Sequence, residues 1–232
     1  MNVFDAVKAL RGATAGLDGS DLIAAVAKAY PGRVAAISSF GAEAAVLLDL
    51  VAQVVPDLPV LFLDTDELFD ETHAYRQTLS ARLGLTDVRI VRPNAEELEQ
   101  ARELWLTDAD TCCALRKVRP FERYRTGFDV IIDGRKRIHG GTREALQTVE
   151  AGEDGVIKVS PLATWSQERV EAAFEARDLP RHPLVAQGFR SIGCWPCTRA
   201  VRPDEPIRAG RWAGSAKTEC GIHRPLIPDA VI

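Results

Sequence analysis

The chain has 232 residues, 46% of them hydrophobic and 27% charged, with a formal net charge of -4. That length and balance suit a folded globular protein with one large domain, or one domain with appendages. The weakly acidic total excludes a nucleic-acid coat and a protein held on a membrane by a basic face, while leaving room for local clusters that bind a small anion.

Residues 1–32 are read as N-terminal helices. Their opening, MNVFDAVKALRGATAG, has no long apolar run, so no secretory signal is read there. SDLIAAVAKAY (20–30) reads as a helix capped by Ser20 and stopped by Pro31-Gly32. RVAAIS (33–38) reads as a buried strand and GAEAAVLLDLVAQVV (41–55) as a largely buried helix. That helix is broken by Asp49 and Gln53 and is too short to span a bilayer. PVLFLD (59–64) is a second strand, apolar without alternation, as a parallel sheet covered on both faces requires. A helix near 70–83, a strand at 87–92 and a helix through Trp105, opened by a capping box between Asn94 and Glu97, follow. FDVIID (128–133) is the fourth strand.

This alternation predicts an α/β fold, a doubly wound and mostly parallel sheet, over residues 33–190. After about residue 180 the periodicity fades. Residues 191–232, rich in Gly, Pro and Arg, are expected to form an irregular C-terminal tail of the same domain. The expectation is a cytoplasmic protein without a membrane or nucleic-acid partner. Oligomeric state is left open, a homo-oligomer included.

Ligands of such sheets sit beyond the C-terminal strand ends, so residues 38–43, 64–66 and 134 onward should share a cleft. In ISSFGAEAAVLL, Ser38, Ser39 and Gly41 place backbone N–H groups at a helix start, an arrangement that serves an anion or simply a tight turn. The loop resembles the pyrophosphate loop of the adenine-nucleotide α-hydrolase-like superfamily, with a Rossmann-like fold. Phe40 and Ala44-Ala45 depart from that pattern and argue against ATP hydrolysis. Asp64 and Thr65 stand where polar groups meet a ribose or base, or cap a helix. GRKRIHGGTR (134–143) crowds Arg135, Lys136, Arg137 and Arg143 after the fourth strand. Arg208 and Arg211 in RAGR repeat the theme. Forked guanidinium contacts suit phosphate or sulfate, although a run of charge also serves as a solvated face.

Five cysteines remain: Cys112-Cys113, Cys194 and Cys197 in CWPC, and Cys220 in KTECGIH. In a reducing compartment, paired cysteines point to metal or catalysis before disulfides. CxxC fits zinc, an iron–sulfur cluster or a redox pair. Adjacent Cα atoms are about 3.8 Å apart, which places Cys112 and Cys113 badly for two corners of one zinc and better for two irons of a cubane. Lys117, four residues after Cys113, would offset cluster charge or lie exposed.

CCALRKVRPFER, SIGCWPCTR and RAGRWAGSAKTECGIH resemble the assimilatory adenylyl-sulfate and phosphoadenylyl-sulfate reductases of the [4Fe–4S] type, over about residues 33–223. The resemblance implies that Cys220 attacks the sulfur of adenylyl sulfate. AMP then leaves, and thioredoxin or glutaredoxin releases sulfite from an S-sulfocysteine. It implies that Cys112, Cys113, Cys194 and Cys197 hold the cluster, that Lys117 bridges cluster and substrate, and that Arg143, Arg208 and Arg211 clamp the phosphate–sulfate group. His223 is a candidate base for Cys220, or a tail anchor. Asp66 and the IHGG segment depart from the family pattern, and Arg135 is a candidate for a 3′-phosphate. The alternatives are the phosphoadenylyl-sulfate reaction, an ATP-dependent thiolation enzyme and a four-cysteine metal-binding regulator.

Overall fold

The computed structural model describes residues 2–152 and 155–223; residues 224–232 of the expected C-terminal segment lie outside that description. Two helices, α1 (Val3–Ala13) and α2 (Gly19–Ala29), precede the first strand. Then come β1 (Val34–Ser38), α3 (Ala44–Val54), β2 (Val60–Leu63), α4 (Asp70–Leu83), β3 (Val88–Val91) and α5 (Ala95–Gln100). One continuous helical run, α6 (Ala109–Cys113), a π-helical turn (Ala114–Val118) and α7 (Arg119–Tyr124), leads to β4 (Val130–Ile132), β5 (Val149–Ala151), β6 (Ile157–Val159) and α8 (Gln167–Ala176).

The six strands run in the order β3-β2-β1-β4-β6-β5, all parallel except β5, which pairs antiparallel with β6 at one edge. Both faces of the central strands are buried. Val34, Ala36, Val60, Phe62, Val130 and Ile132 pack with Leu22, Val26, Leu48 and Phe174 of the helices on one side. The intervening residues Ala35, Ile37, Leu61 and Ile131 pack on the other side with Phe121 and, from the tail, Ile222. This two-sided burial is why the strands read as unbroken apolar runs.

Several boundaries differ from the sequence expectation for visible reasons. Helix α2 starts at Gly19 with Asp18 at its cap, not Ser20, and the Asp18 carboxylate accepts from Arg169 instead of capping. The capping box is present: Asn94 Oδ1 accepts from the Glu97 N–H at 2.8 Å, and the Asn94 N–H donates to Glu97 Oε2 at 2.9 Å. Yet α5 stops at Gln100, and Glu103 in the left-handed region turns the chain into a short 3₁₀ turn at Leu104–Leu106. Strands β5 and β6, three residues each, and α8 escaped the periodicity reading altogether.

The strand order reverses between β1 and β4, because the chain winds outward through β2 and β3 and then returns to the other side of β1. The crevice beyond the C-terminal ends of β1 and β4 is where such a sheet binds ligands. Among the described residues no helix is long and apolar enough to cross a membrane.

A buried histidine tests the packing of this frame. His182 is 1% exposed, its ring centroid lies 4.9 Å from that of Tyr75, and Thr72 Oγ1 is 3.0 Å from its Nε2. Burial pulls its pKa down to about 4 from an ordinary 6.5. The unfolded chain therefore takes up a proton on falling below pH 6.5 while the folded one does not. The His182 contribution to stability should be constant above that pH and decline towards pH 4. Urea titrations at pH 7 and pH 5 should show a smaller loss for His182→Asn than for the parent; equal losses would contradict this.

Candidate active site

The end of β1 and the turn after it supply the first wall of a cleft of about 210 Å³. The Phe40 N–H donates to Ser38 Oγ at 3.0 Å, and Phe40 takes a φ of 49°. Its ring turns inward, fully buried and edge-on to Phe62 at 5.3 Å. A large residue is thus accommodated in a small-residue loop by burial in the core. Asp66 likewise has a φ of 62°, a region that Asp tolerates better than most residues other than Gly.

The second wall follows β4. Lys136 Nζ lies 3.0 Å from Glu43 Oε2, and His139 Nε2 lies 3.1 Å from the same oxygen. Burial opposes ionisation of Glu43, but His139 and Lys136 outweigh it and hold the carboxyl well below its usual range. His139 belongs to the IHGG departure. Its role here is to tie the strand-end segment to the start of α3.

The third wall comes from the irregular C-terminal region, which is pinned to the sheet. The Trp195 N–H donates to Glu67 O, and Leu68 bridges Cys194, seating CWPC along the segment after β2. Thr198 bridges Arg211, and the Trp212 N–H donates to Cys197 O. These contacts bring Arg208, Arg211 and Trp212 to the cleft. A Cβ at Gly193 would collide with the Arg211 guanidinium, so only glycine allows that approach.

The tail then enters the cleft. Arg208 Nη2 donates to Thr218 O at 2.7 Å, Glu219 pairs with Arg143, and Ile222 plugs into the apolar layer under β1 and β4. Cys220 lines the cleft and is partly buried against the same layer. His223 Nδ1 stands 3.5 Å from Asp133 Oδ2. Burial, followed by Arg135, pulls the His223 pKa down to about 3, and its Nδ1 makes no hydrogen bond to the carboxylate.

Cys112, Cys113, Cys194 and Cys197 all line a second cavity beside the first. Cys112 and Cys113 close α6, and the next turn, Ala114–Val118, is a π-helix, the kind of local widening that accompanies functional sites. Lys117 on that turn lines both cavities, as does Trp212. Lys117 is 8% exposed. Burial works against its charge, but Cys194, Cys113 and Cys220 outweigh burial and raise its pKa. In return, Lys117 and a contact of 3.1 Å with Thr65 Oγ1 lower that of Cys194 against the effect of burial. Cys112 is pushed up to about 11 by burial and by Cys113.

The phosphoadenosine phosphosulfate reductase domain matches residues 33–200. The chain belongs to that family. It is 46% identical over 197 residues to the adenosine 5′-phosphosulfate reductase of Chelativorans sp. (strain BNC1), spanning 84% of this chain and 80% of that one. With the protein of the same name from Halalkalibacterium halodurans it shares 38% over 212 residues, 89% of this chain and 92% of the other. The fold resembles the phosphate complex of phosphoadenylyl-sulfate reductase from Candida auris, with a TM-score of 0.68 at 24% identity over 82% of this chain and 94% of that one. It also resembles yeast FAD synthetase, with a TM-score of 0.58 at 16% identity over 86% and 69%.

Of the residues that sequence assigned to this reductase-family site, the structure gathers Ser38, Ser39, Gly41, Lys117, Lys136, Arg143, Arg208, Arg211, Cys220 and His223 around one cleft. Three others are engaged elsewhere. Asp64 is buried and accepts from Arg92 Nε at 2.7 Å. Thr65 faces Cys194. Arg137 Nε donates to Leu146 O at 2.7 Å. Arg135, the candidate for a 3′-phosphate, also lines the cleft, buried against Asp133 at 3.0 Å and Glu150 at 3.3 Å. Sequence reasoning missed Glu43, His139, Trp212 and Glu219 as site residues. Only Glu219, adjacent to Cys220, carried a usable signal.

Proposed function

We propose that this chain reduces adenylyl sulfate to sulfite and AMP in assimilatory sulfate reduction, through an S-sulfocysteine on Cys220. The observation that carries the reading is one cleft lined by Cys220, Arg143, Arg208, Arg211 and Lys117. A thiolate and a phosphosulfate anhydride repel each other, and these cations offset that repulsion. Arg143, Arg208 and Arg211 hold the oxygens flanking the reacting bond. The Cys220 sulfur attacks the sulfonyl sulfur and the S–O bond breaks. The electron pair stays on the AMP phosphate, which departs as a stable anion. A thiolate of an external dithiol protein, thioredoxin or glutaredoxin, then attacks the Cys220 sulfur. Sulfite leaves with the S–S electron pair, and the partner's second thiol resolves the mixed disulfide. Ile222, packed under β1 and β4, anchors the tail behind the nucleophile, and His223 lies beside Asp133.

The four paired cysteines suit a [4Fe–4S] cluster. All four thiols frame one cavity, and a cluster asks each thiol to bind a different iron, which the adjacent Cys112 and Cys113 can do. When bound, the cluster supplies a charged, polarisable centre whose field reaches the substrate side. Among the described residues, Lys117 is the cation that lines both cavities.

Arg135 is already paired with two carboxylates, which favours the substrate without a 3′-phosphate. Sulfite release from adenylyl sulfate and from phosphoadenylyl sulfate, measured with reduced thioredoxin, should differ in kcat/KM by at least about tenfold in favour of the former. A preference for the phosphorylated form would overturn the substrate assignment, and absence of sulfite from both would overturn the reading.

A further inference from the structure

Glu219 immediately precedes the nucleophile, and its carboxylate occupies the arginines. Arg143 Nε donates to Glu219 Oε1 at 2.6 Å and Arg143 Nη2 to Oε2 at 2.9 Å, a forked pair. Arg208 Nη2 lies 3.4 Å from the same Oε2 while donating to Thr218 O. The remaining Arg143 nitrogen, Nη1, faces His139 Nδ1 at 3.3 Å. The Nε/Nη2 fork of Arg143 is therefore taken by Glu219. A carboxylate in a guanidinium fork presents two acceptor oxygens much as one face of a sulfate or phosphate does.

We propose that Glu219 is a positioning residue that stands in for the substrate's anionic group: in the empty cleft it latches the tail through Arg143 and Arg208, and adenylyl sulfate must displace it to bind. The proposal rests on the reading of the cleft as a sulfonucleotide site. Substrate entry then frees residues 217–221 from their arginine contacts, while Ile222 and His223 keep their own seats under the sheet and beside Asp133. Occupancy of the cleft is thereby coupled to the freedom of Cys220. The affinity of the site is reduced by the fraction of molecules in which the latch is closed.

The test uses the unreactive Cys220→Ser protein and adenylyl sulfate as the probe. Adding Glu219→Gln, which keeps the shape and removes the charge, should tighten binding by about tenfold. Amide hydrogen exchange over residues 217–221 separates a latch from a general change in cleft charge. With Glu219 present, exchange should rise when adenylyl sulfate binds. In the Gln variant it should be high already and unchanged by ligand. Glu219→Asp, which retains a carboxylate, should preserve a ligand-induced rise. Binding that is unchanged or weaker in Glu219→Gln, or tail exchange that falls or stays constant when Glu219 is present, would overturn the latch while leaving the site reading intact. Failure of adenylyl sulfate to bind either protein would overturn both.

Discussion

Cys220→Ser is expected to lower sulfite formation by at least about 10⁴-fold while leaving AMP affinity within about twofold. A serine hydroxyl ionises far less readily than a thiol at neutral pH. Its product would be a sulfate ester, with no S–S bond for a dithiol to open. Cys220 contributes only part of the apolar contact that Ile222 supplies in full, so the tail should remain seated. Activity within about a hundredfold of the parent would place the nucleophile elsewhere, since only the four paired cysteines would remain.

Lys117→Met is expected to lower kcat/KM by about 10²- to 10³-fold, the scale on which a preorganised charge in a dry site acts. Met nearly matches the length and flexibility of Lys without its charge. The ammonium stands among Cys113, Cys194 and Cys220 and lines both cavities, so its loss removes the cation that, among the described residues, the two cavities share. Iron content and the unfolding midpoint separate a catalytic effect from a structural one. Activity should fall with iron retained. Parallel loss of iron and activity would make Lys117 a support of the metal site alone, and unchanged activity would remove it from the mechanism.

Much of this molecule is legible in its sequence because the central strands are buried on both faces and α3, between β1 and β2, is apolar. Val34–Ile37 and Val60–Leu63 cannot read as anything half-exposed. The same logic fails at β5 and β6, where three residues are too few to establish a period, and at α8, whose apolar stripe is thin. The site divides similarly. Cysteine spacing and arginine clustering mark chemistry directly. Contacts that depend on tertiary placement do not show: Arg135 looks like a free cation until Asp133 and Glu150 are beside it. Thr65 looks like a ribose contact until Cys194 is found against its hydroxyl. Glu43 and His139 lie about a hundred residues apart in a protein whose sheet order brings β1 next to β4, so their pairing follows from topology.

The central claim is that Cys220 accepts the sulfo group. Anaerobically purified protein, incubated without reductant with adenylyl sulfate carrying radioactive sulfur, should retain stoichiometric label on the peptide containing Cys220 and release it as sulfite when a dithiol is added. Label found on any other residue, or turnover through a first cycle with no covalent label, would contradict the account.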